Sequence, residues 1–173
     1  MDLKEFFSHT ARELKKEEIA GILGPDEETY AQLVELAFSG EMPECWRATW
    51  IMDYLAELHE WIAEPHIDRI WSEIPKNHPV GVTRSALRLL CRYNIPEKYQ
   101  GIATDLCLNW MVQEAVPVAI KVFSMEILLK IAKIYPEMAP EFVEIILQQA
   151  ENNSGGYKAR AQHVVKAMKQ LQT

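Results

Sequence analysis

Arg84, Arg88 and Arg92 recur at i, i+4 and i+8 and make a basic stripe along one helix, able to grip an acidic peptide or phosphates. The stripe begins beside Cys91 and winds away from it. Arg84 therefore reads as a boundary residue, while Arg88 and Arg92 reach toward solvent or a neighbouring helix. Asp53, Glu57, Glu60 and Glu64 form a complementary acidic stripe running to the end of an earlier helix. It suits either a basic partner segment or an ion-pair network between neighbouring elements.

Other chemistry-bearing residues lack the spacing that chemistry demands. His59 and His66 are not spaced as in HExxH, and Pro65 interrupts the helix that would hold both imidazoles on one face. Glu57 with Glu60, and Glu141 with Glu144, are carboxylate pairs in spacing only, because acid–base work needs surroundings that split their two pKa values. Cys91 falls on an apolar phase and reads as a small core residue rather than a nucleophile. None of His9, His59, His66, His78 and His163 has a nucleophile and an acid placed beside it by a signature. The sequence therefore predicts no catalytic residue, no metal site and no cofactor.

What positions the candidate residues is a repeat. A cation recurs every 37 residues, at Arg47, Arg84, Lys121 and Lys158. Six or seven residues before each lies a polar turn residue: Glu41, Asn77, Glu114 or Asn152. A fixed period in this range marks stacked units, none of which buries its apolar face alone. The same phase aligns Tyr54, Cys91, Leu128 and Val165 as an expected buried row. Ala48, Ser85, Val122 and Ala159 form a row of small or medium residues, and Trp50, Leu87, Ser124 and Ala161 a third. On the alternate helices, Ile67 and Trp71 align with Ile102 and Leu106 at an offset of 35, then with Phe142 and Ile146 at an offset of 40.

All nine prolines fall at or beside the joints between apolar-periodic segments, where a missing N–H costs least. The expected helices are nine, over 2–20, 26–39, 43–62, 65–74, 80–94, 97–113, 117–135, 138–150 and 156–171. Strand-type alternation is absent. Short links pack neighbouring helices as antiparallel hairpins, and no linker is long or polar enough to divide the chain, so one domain over 1–173 is expected.

At 173 residues and 49% hydrophobic, the chain can bury one sizeable core or a short continuous solenoid. Its net charge of −7 is uneven: residues 1–64 hold 15 acids and 5 bases, and residues 65–173 hold 10 acids and 13 bases. The first part repels nucleic acid and the second attracts it weakly. Cys45, Cys91 and Cys107 form no CxxC pair, which favours a reducing compartment. No apolar run reaches the ~18 residues of a membrane span, and a soluble, cytoplasmic protein is the default expectation.

Asn77-His78-Pro79-Val80-Gly81-Val82-Thr83-Arg84-Ser85-Ala86-Leu87 resembles the turn and second helix of a HEAT repeat. Pro117-Val118-Ala119-Ile120-Lys121-Val122 and Tyr157-Lys158-Ala159-Arg160-Ala161 resemble the same half-repeat more loosely. The resemblance implies an all-α, short right-handed solenoid. It has about four helical pairs over residues 26–173, a capping segment over 1–25, and second helices lining the concave side. It also implies a ladder of turn acid and helix base, for which Glu41–Arg47 and Glu114–Lys121 have the charges; the other two rungs carry an amide.

The reading is a non-enzymatic scaffold that binds a protein or peptide on its concave surface, with Arg84, Arg88, Arg92, Arg47 and Lys121 as candidate binding residues. The alternative is a DNA-binding HEAT-like glycosylase for alkylated bases, against which the net acidity weighs. A helical lyase fragment is a third class, but the Gly- and Ser-rich loop of such enzymes is missing. The sequence names neither the partner nor an oligomeric state.

Overall fold

The structure is a computed structural model that describes residues 1–171; residues 172 and 173, the last two of the expected domain, lie outside the described residues. It is all-helical, with no strand among the described residues, as expected. Ten α-helices occur among the described residues: α1 (Leu3–Ser8), α2 (Lys16–Leu23), α3 (Glu27–Ser39), α4 (Glu44–Leu58), α5 (Ile67–Glu73), α6 (Val80–Leu90), α7 (Glu97–Val112), α8 (Val118–Ile134), α9 (Ala139–Ala150) and α10 (Gly155–Gln170). They group into two compact units, Met1–Tyr93 with α1 to α6 and Asn94 onward with α7 to α10.

Proline opens three of these helices with one geometry. Pro79, Pro96 and Pro117 precede α6, α7 and α8 with φ between −57° and −53° and ψ of 141–142°. An extended proline followed at once by helical residues makes a sharp corner at no cost in backbone hydrogen bonds.

Two expected helices are divided. The helix expected over 2–20 is α1, a 3-10 turn at Thr10–Arg12, and α2. Asp2 caps α1 by accepting from the N–H groups of Lys4 and Glu5 at 2.9 and 3.1 Å. A second start follows, where the Glu18 carboxylate accepts from the Lys15 N–H at 2.8 Å. The break lets Phe6 and Phe7 as well as Ile19, Ala20 and Leu23 reach the core, which one straight rod does not allow. The helix expected over 43–62 ends at Leu58 and continues as 3-10 turns at Glu60–Ile62 and Glu64–His66. Glu60 and Glu64 therefore lie beyond α4, off the stripe that Asp53 and Glu57 begin.

In the first unit α4 packs against α1, α2, α3 and α6. Tyr30, Leu33, Ile51, Met52 and Trp71 are buried there, each large side chain contributing about 1.5–3 kcal/mol of transfer free energy. The Tyr30 hydroxyl donates to the Met52 carbonyl at 3.1 Å and so ties α3 to α4. In the second unit α7 packs on α8, and α10 packs on both α8 and α9 around Leu128, Phe142, Ile146, Tyr157 and Met168. The Tyr157 hydroxyl donates to the Ile146 carbonyl at 3.2 Å.

The repeat rows are partly displaced. Leu128 and Val165 are buried, but Tyr54 and Cys91 are half-buried. Ala48 and Ser85 are buried while Val122 is half-buried and Ala159 exposed; Leu87, Ser124 and Ala161 are buried, and Trp50 is half-buried. On α7 the register differs by one residue. Ala103, Cys107 and Met111 face the core, whereas Ile102 is 40% exposed and Leu106 half-buried. The bulky apolar residues suggest one phase; the smaller ones fit the close approach to α8.

Candidate functional site

Residues 46, 50, 53, 54 and 57 lie along one side of α4, because steps of three, four and seven return to the same helical face. The first two are tryptophans, the third and last are acids. The indoles of Trp46 and Trp50 are nearly parallel, at 8° and 6.1 Å between centroids, and both are half-buried. Gly81, in the first turn of α6, lies directly against Trp46: a Cβ there would come within 2.5 Å of the indole Cδ1. A glycine is what permits this approach.

Further along, α6 and the turn after it send two arginines across to α4. Arg92 Nη2 donates to Asp53 Oδ1 at 2.5 Å and to the Asp53 carbonyl at 2.8 Å. Arg88 Nη1 lies 3.2 Å from Asp53 Oδ2, and its Nη2 lies 2.7 Å from Glu57. Asp53 is 1% exposed. Burial pushes its carboxyl above the ordinary aspartate value, and the attraction of Arg92 and Arg88 offsets only part of that. The pairing of Trp46 with Gly81 at one end and of Asp53 with Arg88 at the other runs α4 and α6 side by side in the same direction. Trp50 and Arg84 lie between these two fixed points, and Arg84 is exposed.

The five expected binding residues thus have different surroundings. Arg88 and Arg92 meet on Asp53, so the basic stripe and the start of the acidic stripe face each other. Arg92 lies in the turn beyond α6 rather than on it, because the helix ends at Leu90 and not at residue 94. Arg47 donates from Nη1 to the Phe7 carbonyl at 2.7 Å, tying α4 to α1. Lys121, in the second unit, is 4% exposed. Arg84 alone of the five is exposed.

Two features had no counterpart in the sequence reading. One is the Trp46–Trp50 stack, whose i, i+4 spacing was visible but pointed equally to the core. The other is Glu73, which is 3% exposed and meets Arg69 at 2.8 Å, Lys76 at 2.8 Å and His78 at 3.1 Å. Burial alone would raise its pKa, but Lys76, Arg69 and His78 together outweigh that and hold it below the ordinary glutamate value. His78 also packs edge-on to Phe38 at 5.3 Å. The turn between α5 and α6 is therefore organised by an acid four residues ahead of Asn77.

The thiols of Cys45 and Cys107 are not activated. Burial raises Cys45 and pushes Cys107 up to about 12, which keeps both protonated. Among the described residues no three His, Cys, Asp or Glu side chains are grouped to hold a metal ion. Among them, too, no helix is long and apolar enough to cross a membrane.

An all-helical chain with a 37-residue phase and parallel second helices braced by acid–arginine pairs has the build of a helical repeat protein. The HEAT repeat domain family matches it over residues 3–168, and the chain belongs to that family. Neither curated proteins nor solved structures yielded a match.

Proposed function

We propose that this chain is a non-catalytic scaffold holding a protein or peptide partner on the α4–α6 face of its first unit. The observation that carries the reading is an exposed Arg84 on α6 together with the half-buried Trp46–Trp50 stack on the neighbouring α4. Tryptophan and arginine dominate protein-contact hot spots because they bury large areas and still offer polar donors. The Asp53–Arg88–Arg92 cluster supports it by fixing α4 against α6, so the surface is rigid before a partner arrives. In the family resemblance α4 and α6 are second helices, the ones assigned to the concave side.

Arg84 favours an acidic contact on the partner. Arg88 and Arg92 act as braces of this surface, Arg47 is engaged by Phe7, and Lys121 stands apart by burial. The net charge of −7 makes a protein surface a better partner than nucleic acid. Unbridged Cys45, Cys91 and Cys107 support a reducing, cytoplasmic setting. No observation favours the glycosylase alternative.

The test is photo-crosslinking in cells, with benzoylphenylalanine in place of Arg84 and, as control, of Arg12. A discrete crosslinked protein at position 84 that disappears on Trp50→Ala supports the reading. Equal, diffuse crosslinking from both positions defeats it.

A further inference from the structure

The second unit carries an open groove of about 420 Å³ between α9 and α10, lined by Leu147, Gln162, Val165, Lys166, Lys169 and Gln170. Leu147 is 45% exposed at its floor. The 37-residue phase says what kind of surface this is. One repeat earlier, Gln162, Val165, Lys166 and Lys169 correspond to Met125, Leu128, Leu129 and Ala132 of α8, all buried in a unit where α10 packs on α8. The groove is thus the stacking face of the repeat carried forward to α10, with its shape suited to a helix lying alongside.

Two of the four positions have become lysines, and the lining holds no acid. From residue 155 to residue 171 there are four bases, Lys158, Arg160, Lys166 and Lys169, and no Asp or Glu. Arg160 is paired with Glu126 of α8. The acids of α9, Glu141 and Glu144, and Glu151 just after it, do not line the groove. Lysine stems extend an apolar floor while their ammonium groups stay in water at the rim.

We infer that this groove docks an amphipathic helix of a partner protein, with aliphatic side chains over Leu147 and Val165 and carboxylates against Lys166 and Lys169. The inference deepens the scaffold reading and rests on it, but it concerns a different surface.

The probe is a fluorescein-labelled helix of about 18 residues, above the ~12–15 below which isolated helices are marginal. It has leucines at i, i+3, i+4 and i+7 and glutamate with alanine elsewhere; its twin has lysine for glutamate. Anisotropy titrations use the full chain. The glutamate peptide should bind at least about tenfold more tightly than the lysine peptide, a difference of about 1.4 kcal/mol. Lys166→Glu with Lys169→Glu should abolish that preference, and Leu147→Ala should weaken binding several-fold. These side chains are exposed, so circular dichroism should be unchanged.

No binding by the glutamate peptide, or equal binding of both peptides, overturns the inference and leaves a solvated face. A concentration-dependent dimer dispersed by Leu147→Ala also overturns it, giving the face to a second copy. Arg84→Glu should leave peptide affinity unchanged. A lost partner at position 84 with an intact peptide titration, or the converse, separates failure of the scaffold face from failure of this groove.

Discussion

Arg92, in the turn after α6, and Asp53, in the middle of α4, meet at 2.5 Å, with the same guanidinium nitrogen also 2.8 Å from the Asp53 carbonyl. The pair lies 39 residues apart in sequence and is nearly closed to solvent on the Asp53 side. Such a pair adds little net stability over an apolar contact, but losing one partner leaves an uncompensated charge.

Arg92→Ala should therefore lower unfolding free energy by about 2–3 kcal/mol, below the 3–5 of a fully buried pair because Arg92 is partly exposed. Arg88→Glu with Arg92→Glu should cost more, since both new acids face Asp53. Arg84→Glu should change stability by less than about 0.5 kcal/mol, as exposed charges do. Urea denaturation of the three variants checks the ranking. If Arg84→Glu destabilises as much as Arg92→Ala, the division between brace and contact residue is lost.

Glu73 gives the protein an acid-side weakness. Its folded pKa is depressed, so its contribution is fully present above the unfolded value of about 4.5 and is lost as pH falls through the lower folded value. Glu73→Gln should cost about 1–2 kcal/mol at neutral pH, a modest figure because Arg69 and Lys76 are half exposed and screened. The variant's stability should then fall less steeply on acidification. Asp53 acts with the opposite sign: its folded pKa is raised, so its contribution is greatest at low pH and declines as pH rises through that value. Denaturation midpoints of wild type, Glu73→Gln and Asp53→Asn between about pH 3 and pH 7 separate the two trends.

Gly24 closes α2 with φ of +66° and ψ of 175°, a conformation open essentially to glycine alone. Nothing lies within 4 Å of a Cβ built there, so packing does not enter. Gly24→Ala should cost about 1–3 kcal/mol through backbone strain alone. A thermal melt unchanged from wild type contradicts this.

Gly81→Ala acts by contact instead. The new methyl meets the Trp46 indole at 2.5 Å, and also Nε1 at 2.9 Å and Cγ at 3.3 Å, so the whole ring must shift. Trp46 is only half-buried and can move outward. The stability loss should therefore stay near about 1 kcal/mol, the low end for overpacking. Tryptophan emission should change as the stack with Trp50 opens; an unaltered spectrum would show that the stack tolerates the methyl.

Sequence by itself determined the helical class, the repeat and most helix positions. Proline at the joints and apolar residues on a helical period act locally, so Pro79, Pro96 and Pro117 mark their helix starts whatever lies around them. The HEAT resemblance rested on the same local features. Tertiary structure decided the rest. Whether Asp53 is a solvated acid or a buried anchor depends on Arg88 and Arg92, more than 30 residues away. The one-residue register of α7 depended on how closely α8 approaches, and the break between α1 and α2 on where Phe7 and Ile19 must both point. Charge spacing along one helix names the residues that share a face; only a second helix packed against it determines which of them are braces and which, like Arg84, stay open to solvent.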